Sequence, residues 1–250
     1  MSSRKELFLL GRKLTHSFSK QFFEDQFKDN PFYNNWTYNL YEMGEIDQFN
    51  RLKLNPGFLG CNVTIPYKTA IIDFLDKVDF QAKKIGAVNT VVNERIGDVQ
   101  ILKGYNTDAT AFQQTLLSFK DRVKVAMVLG NGGASKAVQF VLQEMGIQYK
   151  VVGRSLAHNF KNFQADWLLK ADLIVNCTPL GMHPDIETAP DIPYKLLTKS
   201  HILYDLVYNP KETLFLKKGK TYGCTVKNGL EMLHLQAEMA LKLFVKAASN

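Results

Sequence analysis

A chain of 250 residues, 46% hydrophobic and 22% charged, is long enough to bury a core and too apolar to be a disordered tail. Its formal charge of +7 comes from basic residues scattered among acids, which argues against nucleic acid as a partner and for a solvated basic surface or a bias toward small anionic substrates. Leu7 to Leu10, behind Arg4 and Lys5, is too short for a signal-peptide core, and no run reaches membrane-spanning length, so a cytoplasmic protein is expected.

Leu7 to Gly11 reads as a first strand. Ser17-Phe18-Ser19-Lys20 then opens a helix with Phe18, Phe22, Phe23 and Phe27 on one face. Its two hydroxyls either cap the orphan N–H groups or join them in holding a carboxylate. Tyr38 to Met43 predicts a second strand, and Glu45 to Leu54 a helix closed by Asn55-Pro56-Gly57. The strand beginning at Phe58 ends near Thr64. Pro66 suits the first turn of a helix, which would set Lys68 against the helix dipole, as a solvent-facing residue or as one with a purpose. Ile85 to Val92 and Val99 to Lys103 bracket Glu94 to Asp98 as a hairpin turning at Gly97-Asp98. Asn89 interrupts an apolar strand, and an amide buried there needs partners. Asp108 opens a helix with Phe112, Leu116 and Leu117 inward, where an N-cap is the ordinary role.

An apolar run from Val123 to Leu129 ends in Gly130-Asn131-Gly132-Gly133-Ala134-Ser135, and a helical pattern to Met145 follows, closed by Gly146. A strand that turns at once into a helix needs glycine, and the helix aims N–H groups and its positive dipole end at whatever sits in the turn. This resembles a dinucleotide-binding turn, although Ser135 occupies the third glycine position, and an ordinary βα turn is the alternative. Gln148 to Val152 is the next strand. In a dinucleotide fold its end faces the ribose, where arginine suits the 2′-phosphate of NADP, and Arg154 stands there beside Ser155. Strands at Leu173 to Cys177 and Ile202 to Val207 follow. Between them Thr178 to Met182 is a loop at a strand's C-terminal end, where cofactors lie in such sheets. A short helix at Thr213 to Lys217, a strand at Thr225-Val226 and a long helix from about Glu231 to Ala247 complete the chain. Cys61, Cys177 and Cys224 lack zinc spacing and read as small core residues, so no metal is expected.

Alternating strands and helices predict two α/β units. Eight segments in order resemble the shikimate dehydrogenase family: Ser17-Phe18-Ser19, Asn62 to Lys68, Gly86 to Thr90, Asn106-Thr107-Asp108, Gly130 to Ser135, Asn176 to Met182, Tyr204 to Tyr208 and Gly229 to Gln236. The resemblance implies an N-terminal substrate domain (1–106 with 230–250) and a Rossmann-type dinucleotide-binding domain (107–229), with the C-terminal helix returning to the first and the cleft between the two. It implies NADP-dependent interconversion of 3-dehydroshikimate and shikimate, in aromatic amino-acid biosynthesis, by a monomer or homodimer. Lys68 and Asp108 match the catalytic pair. Ser17 and Ser19 match the carboxylate hydroxyls. Thr64, Asn89, Asp108 and Gln236 match positions that hold the ring hydroxyls, and Tyr208 matches a tyrosine near the carboxylate. Gly130, Asn131, Gly132, Gly133, Ala134, Arg154, Ser155, Leu206 and Gly229 match cofactor positions.

Three features depart from the family pattern. Asn131 replaces an alanine in the glycine loop, and His158 replaces the second arginine of the 2′-phosphate clamp, leaving Lys161 as another possible cation. The cofactor half is also economical in its loops. A quinate/shikimate dehydrogenase using NAD or both cofactors, and a catalytically silent nucleotide-binding module, are the alternative readings.

Overall fold

The computed structural model describes residues 4–14, 18–97, 99–153 and 165–249. The chain divides into two compact units, 1–107 with 236–250, and 108–235.

In the first unit a six-stranded sheet has the order β2-β1-β3-β5-β6-β4. Its strands are β1 (Lys5–Gly11), β2 (Trp36–Glu42), β3 (Phe58–Val63), β4 (Lys77–Val78), β5 (Thr90–Ile96) and β6 (Val99–Tyr105). β1 runs parallel to β2 and β3, while β5 and β6 form an antiparallel hairpin joined to β3. Because side chains alternate along a strand, one face of this sheet carries Phe8, Leu10, Cys61, Val63 and Val91 into one core. The other face carries Leu7, Leu9, Tyr38 and Val92 against Phe22 and Phe23 of α1 (Phe18–Phe27) and Ala237, Ala240, Leu241 and Phe244 of the last helix, α8 (Leu230–Ala248).

The helix expected over Glu45 to Leu54 is shorter. It is a 3-10 turn at Ile46–Gln48 running into α2 (Phe49–Leu52). A helix absent from the sequence expectation, α3 (Phe80–Ile85), is capped by the Asp79 side chain and stopped by left-handed Gly86.

The second unit holds five parallel strands in the order β11-β10-β9-β7-β8. They are β7 (Val125–Leu129), β8 (Gln148–Val152), β9 (Leu173–Asn176), β10 (Ile202–Asp205) and β11 (Thr225–Lys227). The helices of this unit are α4 (Thr107–Leu116), α5 (Gly133–Glu144), α6 (Ala165–Lys170) and α7 (Leu214–Thr221), and α8 (Leu230–Ala248) contains the later boundary between the units. The strand order reverses between β7 and β9, and such a switch point is where doubly wound sheets bind ligands. Among the described residues no helix is long and apolar enough to cross a membrane, and no cluster of His, Cys, Asp or Glu could hold a metal ion.

Candidate active site

In the first unit the stretch 87–90 is a hub. Val88 N–H donates to the Lys68 carbonyl (2.7 Å), Asn89 N–H to Tyr105 O (3.0 Å), and Val63 N–H to Asn89 O (2.8 Å). The Asn106 amide donates to Ala87 O at 2.8 Å. These bonds draw the ends of β3 and β6 and the turn carrying Lys68 around Asn89. Asn89 lies in a bend just before β5 and not within the strand expected over Ile85 to Val92, and its buried amide is itself fully engaged. Its Oδ1 accepts the Thr107 backbone N–H at 2.8 Å, and its Nδ2 donates to Thr107 Oγ1 (2.9 Å) and to Gln236 Oε1 (3.4 Å). Asn89 and Gln236, matched to one substrate from positions far apart in the chain, therefore touch.

Two local expectations are corrected. Residues 65–69 form a turn leading into a 3-10 helix at Ala70–Phe74. Lys68 is half-buried and does not stand in the first turn of an α-helix, so the dipole argument does not apply to it. Asp108 is not an N-cap: α4 begins at Thr107, so Asp108 is a buried residue inside the first turn, where a carboxylate suits the dipole. Thr64 lies just beyond β3, with its N–H donating to Leu10 O at 2.8 Å. A Cβ on Gly11 would stand 2.7 Å from the Thr64 methyl group, which is why the chain passes there as glycine. Ser19 lies in the first turn of α1.

In the second unit the glycine turn sits at the switch point. Gly130 has φ +107°, and a Cβ there would meet Thr178 Cγ2 at 3.1 Å and the Cys177 carbonyl carbon at 3.2 Å, so the loops after β7 and β9 run against each other. Gly132 caps α5 with no side-chain hydrogen bond, and a Cβ there would meet nothing within 4 Å. Gly133 and Ala134 form the open first turn of α5. A helix N-terminus with no side-chain cap, and with room above Gly132, has the character of a pyrophosphate cradle. Ser135 departs from the glycine pattern without filling the cradle, because it is buried and its hydroxyl donates to Gly130 O at 2.7 Å. The Asn131 side chain lies against Gly153 at the end of β8, where an added Cβ would come within 3.1 Å of it. The turn therefore leans on the end of the strand that precedes Arg154.

Asn176 and Asp205 organise the loops after β9 and β10. Asn176 accepts from Thr178 N–H (3.0 Å) and Oγ1 (2.6 Å) and donates to Asp205 Oδ1 at 2.9 Å. Asp205 also accepts from Val207 N–H (3.0 Å) and Thr213 Oγ1 (2.5 Å). Burial pushes the Asp205 carboxyl from its ordinary 3.8 up to about 7, against the lowering effect of these three donors. Leu206 and Tyr208 follow on this loop, both half-buried. Gly229 passes so close that a Cβ would overlap the Leu206 carbonyl oxygen, which accounts for glycine there by packing alone. Ser17, Arg154, Ser155, His158 and Lys161 lie outside the described residues.

Sequence reading missed Tyr38, Asn62, Thr90 and Thr107 around Asn89, and Asp205 and Thr213 in the second unit. The rule that singled out Asn89, a polar residue within an apolar strand, applies equally to Asn62, Thr90 and Asp205.

A parallel sheet with a glycine turn at its switch point in one unit, and a buried amide and hydroxyl cluster in the other, define the chain as a dinucleotide-dependent dehydrogenase by class. The family profile described as "Shikimate dehydrogenase substrate binding domain" matches residues 9–91. An NADP(+) shikimate dehydrogenase of Caldanaerobacter subterraneus subsp. tengcongensis is 35% identical over 97% of this chain and 92% of its own length. The crystal structure of shikimate 5-dehydrogenase from Thermus thermophilus in complex with NADP(H) and shikimate has TM-score 0.82 and 31% identity, covering 97% of this chain and 94% of that one. Quinate dehydrogenase from Corynebacterium glutamicum in complex with NAD has TM-score 0.79 and 28% identity, covering 98% and 95%. The chain belongs to the shikimate dehydrogenase family.

Proposed function

We propose that the chain catalyses the reversible, NADPH-dependent reduction of 3-dehydroshikimate to shikimate. The observation that carries this reading is the Asn89–Thr107–Gln236 cluster, whose paired amides and hydroxyl suit a small polyhydroxylated ring. It occurs in a chain whose second unit offers a pyrophosphate cradle. Residues 1–106 with 230–250 bind substrate, and 107–229 bind NADP.

Ser17 and Ser19 take the carboxylate with Tyr208 nearby, and Thr64, Asn89, Asp108 and Gln236 hold the ring hydroxyls. Gly130, Asn131, Gly132, Gly133 and Ala134 hold the pyrophosphate. Arg154 takes the 2′-phosphate, and Ser155, Leu206 and Gly229 are further cofactor positions. NADPH, when bound, supplies the hydride. Lys68 gives a proton to the ketone oxygen as that oxygen becomes a hydroxyl, and takes it back in the oxidative direction. The Asp108 carboxylate orients the ammonium and keeps the acid–base pair electrically balanced.

The test is initial-rate oxidation of shikimate and of quinate, each with NADP and with NAD, followed by nicotinamide absorbance. The expected result is turnover with shikimate and NADP, and an NADP preference of about tenfold or more, the worth of one charge-assisted hydrogen bond. A second reading, use of NAD, is favoured by His158 in place of a second arginine. Equal rates with NAD would support it. No turnover with any pair would leave a silent nucleotide-binding module.

A further inference from the structure

We infer that Tyr38, Asn62 and Thr90 are positioning residues of the substrate site, forming one buried hydrogen-bond relay that runs through Asn89 to Gln236. The relay rests on the reading of Asn89 and Gln236 as substrate-holding groups. Its members come from β2, β3, β5, the residue just before β5, and α8, and all lie in the first unit.

The direction of every proton in the relay follows from a single backbone donor. Thr107 N–H points at one terminal atom of the Asn89 side chain at 2.8 Å, so that atom is Oδ1. Thr90 Oγ1 lies 3.2 Å from the same oxygen and must donate to it. Having spent its proton, the Thr90 hydroxyl can only accept from Asn62, which therefore presents Nδ2 at 3.1 Å. Asn62 then presents Oδ1 to Tyr38, whose hydroxyl donates at 2.9 Å. Burial drives the Tyr38 phenol pKa well up, which keeps the donated proton on its oxygen. At the far end, Asn89 Nδ2 donates to Gln236 Oε1 at 3.4 Å. Tyr38, Asn62, Thr90 and Asn89 thus each donate to the next member, and Gln236 accepts at the end, an arrangement in which each bond polarises the next.

The relay is rigid as well as directional. Asn62 and Thr90 are directly opposed across β3 and β5, and Tyr38 stacks on Phe23 with ring centroids 4.2 Å apart and planes 7° apart. Tyr38, Asn62 and Thr90 are all buried, at 2%, 6% and 0% exposure, so they cannot touch a substrate in bulk solvent. Their effect is on the groups at the end of the path. The carbonyl edge of Asn89 is held by the Thr90 hydroxyl, and its amide is thereby aimed at Gln236.

The test is steady-state kinetics of Thr90→Val and Thr90→Ser, with KM for shikimate and for NADP measured separately. Valine keeps the shape of threonine and removes the hydroxyl in mid-relay. It should raise KM for shikimate at least about fivefold, the cost of one buried neutral hydrogen bond. KM for NADP should stay within about twofold. Serine keeps the hydroxyl and should restore KM for shikimate. Tyr38→Phe, which breaks the relay at another element, should show the same split, and a double variant with Thr90→Val should be less than additive. A wild-type KM for shikimate in Thr90→Val, equal impairment in valine and serine, or strict additivity would each overturn the relay. Should Thr90→Val fail to fold, Tyr38→Phe carries the test, and a normal KM for shikimate in that variant would overturn it. A wild-type enzyme without shikimate turnover would instead refute the substrate reading, so the two failures are distinct.

Discussion

At the scale of single residues, Asp205 makes the sharpest demand. A carboxyl raised from 3.8 to about 7 by burial holds its proton more tightly in the folded state than in the unfolded chain. Its contribution to stability is therefore greatest below pH 3.8, declines as pH rises from 3.8 to about 7, and is constant above. The decline is on the order of 4 kcal/mol. Asp205→Asn cannot ionise. The stability of the wild type minus that of the variant, from urea unfolding at several pH values, should fall across this window and then level off. A difference independent of pH would show that the carboxyl does not titrate there. Cys177 and Tyr194 are titratable neighbours of Asp205, and both are pushed up by burial first and by this carboxylate second. Lys68→Ala should abolish most turnover while leaving NADP affinity near normal, measured by cofactor titration, because the ammonium is assigned to the substrate proton alone. Near-normal turnover would remove Lys68 from the chemistry.

At the scale of elements, the β7–α5 turn and the loop after β9 depend on each other. Gly130→Ala forces a Cβ at φ +107° against Thr178 and Cys177. It should cost about 1–3 kcal/mol of stability and weaken NADP binding more than shikimate binding, as read by separate KM values. Ser135→Ala removes the hydroxyl that ties Gly130 O and Gln139 to the turn. It should cost about 1 kcal/mol, with a smaller rise in KM for NADP than Gly130→Ala causes. Both turn residues were visible in the sequence because glycine and its hydroxyl substitute are local chemistry. The helix expected around Lys68 was misjudged for the same reason. Pro66 is compatible with a helix start and equally with a turn, and the hydrogen bonds from Val88 N–H to the Lys68 carbonyl and from the Tyr67 hydroxyl to the Met43 carbonyl decide between them.

At the scale of the whole molecule, the first unit is closed by the C-terminal helix. Phe244 is fully buried, lies 6.1 Å from Phe23 centroid to centroid, and stands where a Cβ on Gly60 would come within 2.7 Å of its ring. Phe244→Ala should destabilise the protein by about 3–5 kcal/mol, seen as a lowered urea midpoint. A change under about 1 kcal/mol would show that α8 is dispensable to that core.

Most of the strands, the parallel second sheet, the glycine turn and the motifs that make Lys68, Asn89, Asp108 and Gln236 candidates were legible in the sequence. They rest on periodicity, on glycine's conformational range and on short ordered motifs, all of which act over a few residues. Tertiary structure alone decided that Tyr38, Asn62, Thr90 and Asn89 share one hydrogen-bond path, that Gly60 makes room for Phe244, and that Asp205 is buried among Asn176, Val207 and Thr213. These depend on register between strands distant in the chain. A single-residue slip would turn each of those side chains to the opposite face, and no local pattern records which register the packed core selects.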